Sequence, residues 1–520
     1  MNTARTDGPA SAAPLVENAA QAILAPAVAH NPDGPAVRDR AGVWTYAELD
    51  AASRAFEGEL RRLGVKPGDR VLVRAGSVRE FTAMLYGTWR LGAVFVPISF
   101  AMRTFHLRSV IADSEPALIV ATAAERDGVE GFPWPGGVPV RVLEDLDFTA
   151  TELADSDAPA AAPVPADRLA LLIYTSGSTA APKGVACPHA PVVFAARAIA
   201  DRLEYQPDDV VLTAVPLSFD YGLYQVLLCA LARAELLLSD ADGHARLLGY
   251  ARDHGATVLP LVPSLGEVLV RLAARDPRPT RLRLFTNTGA ALNAPLIAAL
   301  RESFPGAKVA PMFGTTECKR ITVLEPDGDL ERPGSVGPAL PGTEVLILDE
   351  DGQALPAGDV GEIAVRGPHV MAGYWRAPEV TAQRFRTGAD GTVTLHTGDY
   401  GWLDADGHLY FQGRRDDLFK RRGLRMSAIE IEAATLDVTG VREAALLVPE
   451  AGRDMVLFVV GDALTPEDVL LQLADRLEQA KVPEICHMLQ ALPLTPNGKT
   501  DRKRLKALLD GEFKEAVREG

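Results

Sequence analysis

Cysteine is scarce: Cys187, Cys229, Cys318 and Cys486 are the four in 520 residues, with no CxxC pair and no Cys/His ligand spacing. That scatter excludes a disulfide framework and a structural zinc module, and it fits a reducing, cytoplasmic setting. Positive charge is also short. Lys plus Arg number 53 against 69 Asp plus Glu, a net charge of -16. A chain whose main partner is a phosphate backbone needs the opposite balance, so nucleic acid is not the expected partner. A local basic pocket for a small phosphate ligand stays compatible with the sum. Long apolar runs are missing too. Residues 226–238 form the longest, but Arg233 and Glu235 interrupt it and it is too short to cross a bilayer. The Ala- and Pro-rich start, residues 1–30, lacks the basic-then-apolar order of a secretory signal, so no membrane partner is expected.

What remains is an ordinary globular composition, 47% hydrophobic and 23% charged. The length suits on the order of two to four compact units. From Trp44 the chain alternates between helical and strand patterns. Thr45 stands three residues before Glu48, a capping-box spacing, and apolar residues then recur at helical intervals to Leu63. Residues 71–73, 94–98, 117–121 and 169–174 read as buried strands and residues 80–91 as a helix. Such βαβ alternation predicts an α/β fold with largely parallel sheets. Segments 131–139 and 155–167 are too rich in Pro, Gly or Ala for regular elements. After Pro333 short strands between Gly and Pro turns, 343–348 and 362–365, predict a β-rich subdomain. Residues 413–423 form a polar, charged break. Beyond it the pattern predicts a compact tail, with helices at 429–435 and 466–481 and strands at 444–448 and 456–460.

One stretch carries chemistry. An apolar strand empties into TSGSTAAPKG, residues 175–184. Small residues let backbone N–H groups approach phosphate oxygens, hydroxyls donate further hydrogen bonds, and Lys183 adds a mobile charge. Pro182 before that lysine and Gly184 after it exclude a Walker loop.

With this loop the chain resembles the adenylate-forming superfamily: acyl-CoA synthetases, amino-acid adenylation domains of peptide synthetases, and luciferases. The likeness covers residues 44–507. Further segments fall in the family's order: FGTTE at 313–317, GEI at 361–363 leading to GYW at 373–375, HTGD at 396–399, the charged break with Gly413, Arg414, Asp416 and Gly423, and PNGK at 496–499. The resemblance implies a large N-terminal domain, residues 1–414, of α/β subdomains with parallel-rich sheets plus a β-rich subdomain. A small mobile α+β domain, residues 415–520, follows, with Asp416 at the hinge.

It also implies a reaction in which a carboxylate joins ATP, releasing pyrophosphate, and the acyl group then passes to a thiol. Lys499 is the implied catalytic lysine, with Thr316 on the α-phosphate and Glu317 as the Mg²⁺ ligand. Thr175, Ser176, Gly177, Ser178, Thr179 and Lys183 are implied for the phosphates. Gly289, Ala290, Ala291, Phe313, Gly314 and Thr315 are implied around the nucleotide, with Phe313 against adenine, and Asp399 and Arg414 on the ribose or phosphates. Ala180 stands where the family usually has glycine, which leaves a non-catalytic nucleotide-binding relative as one alternative. Residues 215–223, VPLSFDYGL, align with the acid pocket. Phe219 followed by Asp220 matches amino-acid adenylation domains, and a carboxylate there suits an ammonium-bearing acid. Asp220 can equally serve as the N-cap of a helix at 221–231. Tyr221, Tyr224, Thr286, Thr288, Met312 and Arg320 complete the pocket candidates. Arg320 reads either as a partner for a second carboxylate or as a surface residue. The chain ends about twenty residues past Lys499, so the phosphopantetheine of a separate carrier protein is the expected acceptor. CoA, in an acyl-CoA synthetase for a small acid, is the other.

Overall fold

The computed structural model describes residues 15–100, 102, 104–125, 137–149, 164–165, 167–175, 182–239, 244–414, 418–421, 424–448, 454–477, 479–495 and 500–516. Helix Tyr46–Arg62 starts as the sequence predicts. The Thr45 side chain accepts from the Glu48 N–H while Glu48 returns a bond to the Thr45 N–H, closing a capping box. Helix Arg79–Leu91 packs against it and stops where Gly92 turns left-handed at φ 75°.

Two sheets dominate the larger part of the chain. One runs Lys183–Pro188, Leu169–Thr175, Val94–Pro97, Arg70–Arg74, Leu118–Ala121, Val140–Val142 across its width, parallel except at the first pair. The other orders Thr322–Val323, Lys308–Phe313, Leu284–Asn287, Val258–Leu261, Val210–Thr213, Glu235–Leu238, Pro35–Asp39, Gly42–Thr45, with antiparallel pairs only at its two edges. Both faces of these strands are covered, which is why Val258–Leu261 and Leu118–Ala121 read as unbroken apolar runs. A third, antiparallel sheet contains Ser335–Pro338, His408–Arg414, Val393–Leu403, Gly361–Arg366 and Glu344–Leu348, the predicted β-rich subdomain.

Past residue 414 the sequence reading needs correction. Leu418–Arg421, inside the charged break, pairs antiparallel with Leu424–Ser427 just beyond it. Helix Pro466–Ala474 ends well short of Lys481, and a separate 3₁₀ turn covers Gln479–Lys481. Strand Ile485–Met488 and helix Arg502–Ala516 complete the tail. Strand Val456–Gly461 lies between an antiparallel neighbour, Val441–Leu447, and a parallel one, Ile485–Met488. Ile431, Leu446, Leu457, Val469 and Leu473 form an apolar core of their own there. Among the described residues no helix is long and apolar enough to cross a membrane.

Candidate functional site

The candidate site gathers where parallel strands end. Strand Leu169–Thr175 leads into residues 176–181, which lie outside the described residues together with Ser176, Gly177, Ser178, Thr179 and Ala180. Strand Lys183–Pro188 then returns antiparallel, with Thr175 opposite Lys183. The phosphate-loop candidate is therefore flanked by a ladder pair of a threonine and a lysine. Lys499 and Asp416 also lie outside the described residues.

The loop after strand Lys308–Phe313 folds back on itself. Cys318 and Lys319 donate their N–H groups to the Thr315 carbonyl, and the Ile321 N–H bonds the Phe313 carbonyl. A Cβ on Gly314 would run into the Lys319 carbonyl oxygen, so the turn requires glycine there. Lys319 itself is held at φ 69°. The loop presents Thr315, Thr316 and Glu317 half-buried. The Glu317 carboxylate accepts a 2.6 Å hydrogen bond from the Tyr374 hydroxyl. Phe313 lies against Phe411, ring centroids 4.9 Å apart. Gly289, at φ 86°, opens the stretch with Ala290 and Ala291 that leads to helix Ala294–Ser303 on the neighbouring strand's end.

Asp399 is 3% exposed and sits directly across the ladder from Arg414. Its turn is held from behind. Glu362 bonds the His396 ring at 2.9 Å with one oxygen and accepts the Gly398 N–H at 3.0 Å with the other, while Thr397 Oγ1 accepts the Asp399 N–H. Sequence reasoning saw Glu362 only as part of a motif. The signal was its charge in an otherwise half-apolar strand.

The acid-pocket candidates converge on one buried charge cluster. Phe219, not Asp220, is the N-cap of helix Asp220–Ala232, and no side chain caps it. The capping reading of Asp220 is corrected: its carboxylate points to cations. Lys319 Nζ lies 2.8 Å from Asp220 Oδ1, and Arg320 Nη1 lies 3.7 Å from Oδ2. Exposures of 0% for Lys319, 6% for Asp220 and 4% for Arg320 put all three inside the protein, so Arg320 is not a surface residue. Burial alone would lower the Lys319 pKa, but Asp220 and Cys187 outweigh it and hold it above its ordinary value. Burial pushes the Cys187 thiol, 3.4 Å from Nζ, up to about 11, so it stays neutral. Losing one partner of such a buried pair costs about 3–5 kcal/mol.

Aromatic residues wall the cluster. The Arg320 guanidinium lies over the Tyr221 ring at 5.0 Å and Lys319 Nζ near the Tyr224 ring at 5.7 Å. The Tyr221 hydroxyl pairs with Thr286 at 2.7 Å. Met312 and Thr288 are buried on the adjoining strand ends. Among the described residues the Tyr224 hydroxyl and Arg320 Nε are buried without a hydrogen-bond partner. Leaving such groups unpaired costs about 1–3 kcal/mol each, a debt that a polar ligand can relieve. Lys319 was missed by sequence reasoning. Its only signal was a place between Cys318 and Arg320, in a run that then turns apolar at Ile321. Two surface grooves, of about 500 Å³ beside Phe194 and Arg197 and about 250 Å³ beside Arg283 and Lys308, are lined by none of these residues. The charge cluster, not groove size, singles out this region as the candidate site.

The arrangement meets known proteins as follows. The profile of the AMP-binding enzyme family matches residues 24–375, and that of the AMP-binding enzyme C-terminal domain matches residues 430–499. An L-proline–[L-prolyl-carrier protein] ligase of Pseudomonas fluorescens is 31% identical over 93% of this chain and 98% of its own length. The probable non-canonical nonribosomal peptide synthetase CymA of Salinispora arenicola is 32% identical over 94% of this chain, which spans only 6% of that protein. Among solved structures, VinN in complex with L-aspartate is 45% identical with a TM-score of 0.70, over 77% of this chain and all of that one.

Proposed function

The chain belongs to the AMP-binding enzyme family, and from that premise we propose that it is an ATP-dependent, AMP-forming ligase for an amino acid bearing a second carboxylate. The observation that carries the substrate class is the buried trio Asp220, Lys319 and Arg320. One carboxylate is shared by two cations, so among the described residues the cluster has a surplus positive charge. An acid whose one charge is the reacting carboxylate has nothing left to offer that surplus. An acid with an ammonium group and a second carboxylate offers Asp220 a cation and Arg320 an anion, each a charge-assisted contact. The relative solved with L-aspartate supports the same class.

In the proposed reaction an oxygen of the substrate's reacting carboxylate attacks the α-phosphorus of ATP, and pyrophosphate leaves. A thiol then attacks the acyl carbon, forming the thioester and releasing AMP. Two anions must meet in the first step, so donors and positive charge belong where negative charge collects. Segment 175–183 would hold the phosphates, Asp399 and Arg414 the ribose, and Phe313 with residues 289–291 the adenine. Lys499 would reach the carboxylate and the α-phosphate. Mg²⁺ fits Glu317: the ion takes one or two carboxylates along with substrate phosphates and water. Among the described residues no cluster of three or more acidic, His or Cys ligands competes for it.

For the acceptor we propose the phosphopantetheine thiol of a carrier protein, which the named prolyl-carrier ligase supports. Pyrophosphate exchange tests the substrate class. Aspartate, glutamate and the β-amino isomer of glutamate are expected to drive exchange well above alanine, succinate and octanoate. Exchange driven by octanoate or succinate but by no amino acid sinks the reading. Thioester assays with CoA and with a loaded carrier protein then decide the acceptor.

A further inference from the structure

The segment Gly373-Tyr374-Trp375 is the one sequence motif that the reaction above leaves without a task. The structure shows what it does locally. Its backbone is tied into the phosphate-loop strand: the Ala186 N–H bonds the Gly373 carbonyl at 2.9 Å and the Trp375 N–H bonds the Gly184 carbonyl at 2.7 Å. The same strap reaches the metal-carboxylate loop, where the Met371 N–H bonds the Glu317 carbonyl at 2.9 Å. Tyr374 is fixed between them. Its N–H bonds Thr381 Oγ1 at 2.9 Å, and its ring meets Phe385 edge-on at 5.8 Å.

Two contacts of this fixed ring bear on the site. The hydroxyl donates to Glu317 Oε1 at 2.6 Å, the length of a bond to an ionised acceptor. The ring lies 5.9 Å from Lys183 Nζ, within cation–π reach. Among the described residues Oε2 of Glu317 has no hydrogen-bond partner. A hydroxyl that fixes one carboxylate oxygen stops the group rotating and leaves the other for an ion. We propose that Tyr374 is a positioning residue that aims Glu317 at the divalent cation of ATP, and that its ring face steers Lys183 toward the phosphates. The inference rests on the ligase reading, since it presumes that ATP binds here with a cation.

Calorimetric titration of ATP into the full chain, with Mg²⁺ and with EDTA, tests it apart from turnover. In Tyr374→Phe, which keeps the ring, the gain in ATP affinity due to Mg²⁺ should fall about tenfold, the usual scale for losing a partner of a metal ligand, while affinity in EDTA holds. Glu317→Gln should show the same loss, and the double variant no more than either single one. Tyr374→Leu should weaken binding in EDTA as well, by roughly two- to fivefold, because the lysine loses its ring. A Phe variant with the parent's Mg²⁺ gain, or one losing affinity equally with and without Mg²⁺, overturns the proposal for Glu317. Equal EDTA affinities in Phe and Leu overturn the part concerning Lys183. If the parent chain binds no ATP in either buffer, the ligase reading falls and this one with it. If the parent binds and Phe behaves like it, only this one falls.

Discussion

Arg320 and Glu362 show how single charges define this site. Arg320 has Asp220 at 3.7 Å through one nitrogen and a second bond to the Lys319 carbonyl. Replacing it with glutamine keeps a polar side chain but removes the surplus charge. Arg320→Gln should therefore raise KM for aspartate-type acids at least about tenfold, with a smaller change in kcat, and narrow their advantage over alanine. Steady-state exchange with both acids reads this directly. Glu362 sets a pH dependence. Burial alone would raise its carboxyl, but the His396 contact and the Gly398 N–H outweigh it and the folded pKa lies below the ordinary value. A carboxylate depressed on folding contributes stability above its unfolded pKa of about 4.3, and that contribution is lost as pH falls through the lower folded value. The melting-temperature gap between the parent and Glu362→Gln should be full near about pH 6 and shrink below about pH 4. Asp220 and Arg320 were legible as pocket candidates because an aromatic-Asp pair and an odd arginine stand out in sequence. Lys319 was not, because a lysine's burial is fixed by a left-handed backbone residue and a partner 99 positions away.

Among the elements, the turn at 314–320 tolerates little change. Gly314 lies so close to the Lys319 carbonyl that any side chain must push the loop open. Gly314→Ala should cut exchange by about a hundredfold or more, since a displacement near 1 Å at a positioned group already costs that much. Helix Tyr46–Arg62 and sheet strands far from the loop should keep the parent's far-ultraviolet circular dichroism. A variant with parental exchange would show that this turn does not place reacting groups. Parallel strands and the capped helix were readable because both faces of a buried strand demand apolar residues and a capping box has a fixed spacing. The pair Leu418–Arg421/Leu424–Ser427 was not, because LFKR carries no alternation and the alternation of LRMS lasts only four residues beside a highly charged run. Helix Pro466–Ala474 was drawn too long for the opposite reason: apolar Leu477 continues its spacing after the chain has turned at Asp475.

At the scale of the molecule, we propose a division into residues 1–414, which bind ATP and acid, and residues 415–520, which bring Lys499. The separate apolar core around Ile431, Leu457 and Leu473 supports that division. Its consequence is a split phenotype. Lys499→Ala should lose acid-dependent exchange by at least about a hundredfold, yet still form thioester when supplied with preformed acyl-adenylate, because a mobile small domain would carry Lys499 away before the thiol attacks. Equal loss of both half-reactions would contradict the division of labour. The most direct test of the whole account is a crystal structure with a non-hydrolysable aspartyl-adenylate analogue. The account predicts adenosine beside Asp399, the phosphate mimic between segment 175–183 and Glu317, the ammonium at Asp220 and the side-chain carboxylate at Arg320. An analogue lodged away from that segment, or one whose side-chain carboxylate points to solvent with Arg320 untouched, would contradict it.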